Sequence, residues 1–247
     1  MTDVESASKQ TTGLDTKSVG HMFDCIAPVY NSLNHVLSFG QDFFWRRKLT
    51  DSIDKESKLR VLDLATGTGD VLLSLLHRNS NITEAVGLDI SENMLALCRK
   101  KIKRHKFSDR TNLVHADATI NPFANETFDL ITMSFGIRNT PDIFKTLNEI
   151  YRLLRPGGKA LILEFSMPTN PILKTCYLLY LRRFVPFLGR LLSGDEHAYK
   201  YLNTSIKNFV GMEDFIRLMR NVGFLHVHST PLTFGIVCLY QGLKPAC

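Results

Sequence analysis

From residue 59 onward the apolar positions fall into two alternating patterns. Short aliphatic runs bounded by turn formers read as strands: LRVLDLA (59–65), EAVGLD (84–89), TNLVHAD (111–117), TFDLITMSF (127–135) and GKALILEF (158–165). Between them DVLLSLLHR, SENMLALCRKKIKR and PDIFKTLNEIYRLL carry apolar residues at helical spacing. Ser91 ahead of Met94 and Leu95 reads as a helix cap, Pro141 as a first-turn proline, and RPGG at 155–158 as a stop before the next strand. Strands alternating with helices predict a parallel sheet covered on both faces. FLHVHSTPL (224–232) and FGIVCLYQG (234–242) are too close in sequence for a parallel crossover, so they are expected as an antiparallel hairpin on the sheet edge.

Two segments stand outside the alternation: residues 18–58, expected helical, and 168–209, ahead of a last helix near 211–222. Both are expected over the carboxyl ends of the strands, where ligands bind in such sheets. The expected organisation is a disordered tail (1–17), an N-terminal helical cap (18–58), a nucleotide-binding core (59–167), a cap insertion (168–209) and a C-terminal helix and hairpin (210–247). A mainly parallel α/β sheet of seven strands, finished by one antiparallel edge strand, is the Rossmann-like class I methyltransferase layout.

Composition narrows the classes. At 247 residues with 44% hydrophobic and 22% charged content the chain reads as globular. No run approaches the roughly 20 apolar residues of a membrane-spanning helix, and the N-terminus lacks a secretory layout. Five cysteines without a CxxC pair argue against a metal site or disulfide framework and for a reducing, cytoplasmic setting. The net charge of +6 is partly concentrated in RKKIKRHK (99–106), read as the solvated C-terminal end of a helix in preference to a nucleic-acid patch.

The glycine turn LDLATGTGD (62–70) carries the most specific chemistry. It supplies Gly67 and Gly69, but the third glycine of a dinucleotide fingerprint is replaced by Leu72, and Asp70 sits at the helix start. Like charges 4 Å apart repel by about 4 kcal/mol at an effective dielectric of 20, which disfavours a pyrophosphate. S-adenosylmethionine (SAM) has no phosphate and carries a cationic amino-acid end, which Asp63 and Asp70 favour. Asp89 ends the second strand where an acid takes both ribose hydroxyls, and Asp117 with Ala118 ends the third where adenine would meet an acceptor and a backbone donor.

LDLATGTGD, GLDISENML, ADATINPFANETFDLITMSFGIRNTPD and YRLLRPGGKALILEFSMP, with APVYNSLNHVLSFGQDFFWRR upstream, resemble the UbiE/MenG family of quinone C-methyltransferases over about residues 18–245. The resemblance implies that Thr68, Asp89, Asp117, Ala118 and Ser134 contact SAM and that SFGIRN (134–139) faces the methyl group and acceptor. The chain departs from the family where Asn31, Leu33 and Asp42 stand for Asp, Met and His. The substrates so implied are demethylmenaquinone, a ubiquinone precursor, or both, and the C-terminal segment looks nearer the menaquinone branch.

Chemistry selects the reduced ring. An oxidised quinone is electron-poor, whereas a quinol that loses a proton pushes charge onto its ring carbon. Arg138 is the candidate to hold the developing oxyanion and Asn139 to orient it; His197 and Tyr199 are candidate proton acceptors. Arg138 as a structural ion pair is the bland alternative. PILKTCYLLYLRRFVPFLGRLL, with Lys174, Arg182, Arg183 and Arg190, suits shallow docking on the inner face of an anionic membrane, or a cap helix broken at Pro186. The expected partners are thus a prenylated quinol and a membrane surface, with a second copy or a pathway enzyme as further candidates and no nucleic acid. A SAM-binding, quinone-carrying assembly protein is the non-enzyme alternative.

Overall fold

The computed structural model describes residues 16–54, 57–186 and 196–246, and for 196–199 the backbone alone. The tail expected over 1–17 lies outside the described residues except for Thr16 and Lys17, which already belong to a helix.

Among the described residues the first elements are three helices, α1 (Thr16–Ile26), α2 (Tyr30–Leu37) and α3 (Gln41–Asp51). The alternation follows as β1 (Leu59–Leu64), α4 (Asp70–Arg78), β2 (Ile82–Asp89), α5 (Glu92–Arg104), β3 (Thr111–His115), β4 (Phe128–Ser134), α6 (Ile143–Leu153) and β5 (Leu154–Phe165). The chain continues through α7 (Pro171–Leu179), α8 (Glu196–Asn208), α9 (Met212–Val222), β6 (Leu225–Leu232) and β7 (Val237–Leu243). Ser91 caps α5 by accepting the Met94 amide at 3.1 Å. Pro141 is not in the first turn of α6. Asp142 caps that helix through the Lys145 amide at 3.0 Å, leaving the proline just outside. RPGG lies within β5, because Leu154 already pairs with Phe128 before the register shifts.

The seven strands run in the order β3-β2-β1-β4-β5-β7-β6, and β7 is antiparallel to both its neighbours. The hairpin therefore inserts its second strand inward, one place in from the edge. Burial explains the order. Val237 to Tyr240 are all buried and need cover on both faces, whereas β6 is largely exposed, buries only Val227 and Leu232, and carries Pro231, which suits an edge.

One core lies under α6 and α9, with Phe128, Ile131, Ile150, Phe215 and Tyr240 buried in it. The other lies under α3, α4 and α5, around Trp45, Leu49, Leu72, Leu130 and Leu161. A small third cluster of Leu33, Tyr177, Leu181, Val185 and Ile206 ties α2 to the α7 region and α8. Asn170 caps α7, with Pro171 in its first turn. The helix widens to a π turn over Tyr180–Phe184, just ahead of Pro186, whose ring would clash with the carbonyl four residues back in a regular α-helix.

Candidate active site

The carboxyl ends of β1, β2 and β4 meet the cap helices in two adjoining cavities. Gly67 and Gly69 turn the chain out of β1 with φ of 56° and 82°, the left-handed region where glycine alone is unstrained. A Cβ on Gly69 would also collide with Cys98 Sγ of α5.

The first cavity is lined by Gly67, Asp89, Asp117, Ala118, Ser134 and Asn139, with Thr16, Val19 and Phe23 of α1 among its walls. Asp89 Oδ2 accepts the Gly67 amide at 2.7 Å and Oδ1 the Ser91 amide at 2.9 Å. Burial pushes its pKa up against these hydrogen bonds and a further one from the Ile90 backbone, and the side chain lines the cavity. Asp117 Oδ1 takes the Thr119 amide at 2.7 Å and hydroxyl at 2.8 Å. The buried Ser134 hydroxyl has no partner among the described residues.

Other loop residues expected at the cofactor support it from behind. Asp63 does not line the cavity. Its carboxylate accepts the Thr132 hydroxyl at 2.6 Å and the Thr66 hydroxyl at 2.7 Å, and burial drives its pKa up to about 6. Thr68 likewise turns away, donating to Asn31 Oδ1 at 2.7 Å and accepting from Lys101 Nζ at 3.0 Å. Asp70 is no bare charge, since it pairs with Lys101 and, at 3.3 Å, with Arg46. Lys101 thus leaves the solvated face assigned to its basic run. The charge of Asp70 is matched, so the case against a pyrophosphate rests on Leu72 and the buried Asp89.

The second cavity is an apolar chamber of about 390 Å³, and it shares Phe23, Tyr30 and Phe135 with the first. Trp45, Phe165, Tyr177 and Tyr180 form much of its wall, and Arg138 enters it. Arg138 is 5% exposed and Glu164 is fully buried. Arg138 Nη1 donates to Glu164 Oε1 at 2.7 Å and to the Phe135 carbonyl at 2.6 Å, with the guanidinium 5.0 Å from the Phe165 ring centre. Its Nε has no partner among the described residues. Glu164, not Asn139, therefore orients the guanidinium. Asn139 donates to the Phe135 carbonyl at 3.2 Å and accepts the Tyr201 hydroxyl at 3.2 Å.

Asp42 is 2% exposed, accepts the Ser38 hydroxyl at 2.9 Å, and lies against His35 at 2.6 Å and Arg46 at 3.0 Å. His197 and Tyr199 lie on α8, and their side chains fall outside the described residues. Glu164 was legible as the one acid inside the apolar run GKALILEF; Tyr201 and Lys101 carry no local mark of their roles.

The chain matches the model of the ubiE/COQ5 methyltransferase family over residues 10–244. It belongs to that family. A Geobacter sulfurreducens protein named ubiquinone/menaquinone biosynthesis C-methyltransferase UbiE is 43% identical over 223 residues, 90% of this chain and 87% of the relative. Two proteins named demethylmenaquinone methyltransferase are similarly related: one from Bacteroides fragilis at 40% identity, over 94% of each chain, and one from Thermus thermophilus at 42%, over 91% of this chain and 100% of its own. Among solved structures, a SAM-dependent methyltransferase from Thermotoga maritima superposes with a TM-score of 0.62 at 21% identity, covering 92% of this chain and 99% of its own. The [4+2]-cyclase SpnF reaches 0.64 at 14% identity, over 95% and 98% of the two chains. Structural likeness at that distance establishes the fold, while chemistry is decided at the site. Within the ubiE/COQ5 family the chain is a methyltransferase with SAM as its cofactor.

Proposed function

We propose that this protein C-methylates a prenylated quinol in quinone biosynthesis, converting demethylmenaquinol to menaquinol. The observation that carries the reading is the apolar chamber, which meets the cavity of Asp89 and Asp117 at Tyr30 and Phe135 and contains a buried guanidinium. The names of the B. fragilis and T. thermophilus relatives support the naphthoquinol ring.

SAM supplies a methyl group already activated by its sulfonium. Asp89 takes the ribose hydroxyls, Asp117 and Ala118 face the adenine, and the Ser134 hydroxyl and Gly67 complete the grip. Phe135 and Tyr30 stand between the two cavities and align donor with ring, an effect that can supply about 7–11 kcal/mol of a two-substrate barrier. Arg138, held by Glu164, stabilises the oxyanion as the ring hydroxyl beside the acceptor carbon ionises, in a dry site where that charge interaction is strong. Asn139 and Tyr201 brace the turn that presents it. His197 and Tyr199 remain the candidates for taking the proton.

The substrate's prenyl tail leaves the chamber past Phe39 and Phe234, which are 71% and 79% exposed on its rim. Exposed Ile172, Leu179, Arg182 and Arg183 lie on the neighbouring α7 segment. Apolar residues flanked by arginines fit peripheral contact with an anionic bilayer at the cytoplasmic face; among the described residues no helix is long and apolar enough to cross a membrane. Arg190 of this segment lies outside the described residues.

The G. sulfurreducens relative's name favours a second reading, in which a ubiquinone-precursor benzoquinol is also accepted. The test is mass spectrometry of products from the protein, SAM and both prenylated rings in one tube, with and without reductant. A methyl gain on the naphthoquinol alone, only when reduced, is expected. Gain on both rings establishes dual specificity, and no gain on either with SAM binding intact favours the assembly-protein alternative.

A further inference from the structure

The chamber holds a second polar feature that the proposed chemistry leaves unused. Tyr177, on α7, is 6% exposed, and its hydroxyl has no hydrogen-bond partner among the described residues. The neighbouring tyrosines on the chamber wall are all committed. Tyr180 donates to the Leu37 carbonyl at 2.6 Å, Tyr201 donates to Asn139, and Tyr30 is bonded to Asn34. A buried hydroxyl left without a partner is costly to keep, because it gives up water and receives nothing in return. Its retention on the wall of a ligand-sized cavity points to a polar atom that arrives with the ligand.

We propose that the Tyr177 hydroxyl anchors the acceptor ring by donating a hydrogen bond to the ring oxygen across from the one held by Arg138. This rests on the quinol reading above. The position follows from the layout of the two cavities. Arg138 is bonded to Phe135, which lines both, and its neighbours Gly136 and Asn139 line the donor cavity. Tyr177 lines the chamber alone, packed with Leu33, Leu181 and Ile206 on the cap side. A ring held between them turns the carbon beside its Arg138-bound oxygen toward the donor and the opposite oxygen toward α7. Burial raises the Tyr177 pKa, with the Arg138 charge opposing, so the phenol stays protonated and acts as a donor. Two polar contacts on opposite sides fix the face and rotation of a flat ring that apolar walls would leave free to spin.

The test compares the wild-type protein with Tyr177→Phe on two acceptors. One is the prenylated naphthoquinol. The other is the matching naphthol, which keeps the hydroxyl beside the acceptor carbon and lacks the one across the ring. On the quinol, Tyr177→Phe is expected to lose about tenfold in kcat/KM, carried mainly by a raised KM, as one neutral hydrogen bond is worth. On the naphthol the two proteins are expected to be equal. The melting temperature should equal or exceed that of wild type and the SAM affinity should match it, because among the described residues the hydroxyl has no partner to lose. Unchanged kinetics on the quinol, or an equal deficit on both acceptors, overturns this assignment alone. A wild-type protein inert on the quinol overturns the underlying reading and this assignment with it.

Discussion

Arg138 and Glu164 form a buried pair whose removal separates stability from chemistry. Arg138→Met strands a fully buried carboxylate and is expected to cost about 3–5 kcal/mol of unfolding free energy. Adding Glu164→Gln should recover most of that in denaturant titrations, while methyl transfer stays about a hundredfold down because the oxyanion has lost its cation. Full activity in a refolded double variant would contradict the role given to Arg138. Asp89 gives a second test. Its oxygens organise the Gly67 and Ser91 amides and face the cavity. Asp89→Asn is expected to weaken SAM binding about 10- to 100-fold by calorimetry, the worth of hydrogen bonds to a charged acceptor. Asp63 carries the pH prediction. Burial raises its folded pKa to about 6, above the unfolded value of 3.8. The folded state therefore binds the proton more tightly, so this contribution is complete below about pH 4 and is lost as pH rises toward 6, by an amount on the order of 3 kcal/mol. Urea midpoints at pH 4 and 7 should show Asp63→Asn less sensitive than wild type in that sense.

The glycine loop is tied to its surroundings element by element. Gly69 ends the turn into α4 against Cys98 of α5, and Asn31 of α2 holds Thr68. Gly69→Ala is expected to cost about 2–4 kcal/mol, the sum of a left-handed alanine and an overpacked contact. Cys98→Ala in the same chain should return the packing part, read as a partial recovery of the melting temperature; no recovery would mean that backbone strain alone accounts for the loss. Element identity was legible wherever local chemistry decides it. DVLLSLLHR became α4 residue for residue, and Ser91 capped α5. Pro141 was misplaced by its own generality: proline suits the first turn of a helix, but Asp142 supplied the better cap and left it outside. The order of β6 and β7 was not readable from their spacing. It follows from which strand has two apolar faces to cover, and that depends on what packs on each side of the sheet.

At the scale of the whole molecule, the cap joins the strand ends to a rim of exposed aromatics beside Arg182 and Arg183. Sedimentation with vesicles containing anionic lipid is expected to pull the protein down at low salt. Arg182→Glu with Arg183→Glu should reduce that binding by well over tenfold, since each basic residue near such a surface is worth about 1 kcal/mol and each reversal doubles the change. Binding to neutral vesicles that equals binding to anionic ones would remove the electrostatic part of the proposal. The two cavities meet at Phe23 of α1, Tyr30 of α2 and Phe135, and the α7 segment adds Tyr177 and Tyr180 to the chamber wall through contacts such as that of Leu37 with Tyr180, 143 positions apart.

The sequence alone determined the periodic core, the glycine turn, the acids at the ends of β2 and β3 and the motifs that place the chain in its family. These are short-range properties, since a strand, a cap or a left-handed turn is decided by residues within a few positions of one another. The tertiary structure alone decided which acids face the cavity and which support it: Asp63 behind the loop, Asp70 neutralised by Lys101 and Arg46, Asp89 open to a ligand. It also decided that Glu164 holds Arg138 and that, among the described residues, the Tyr177 hydroxyl is left without a partner. The division has one physical reason. A side chain's charge, burial and hydrogen bonds depend on groups brought to it from distant parts of the chain, and those neighbours exist only once the fold has formed.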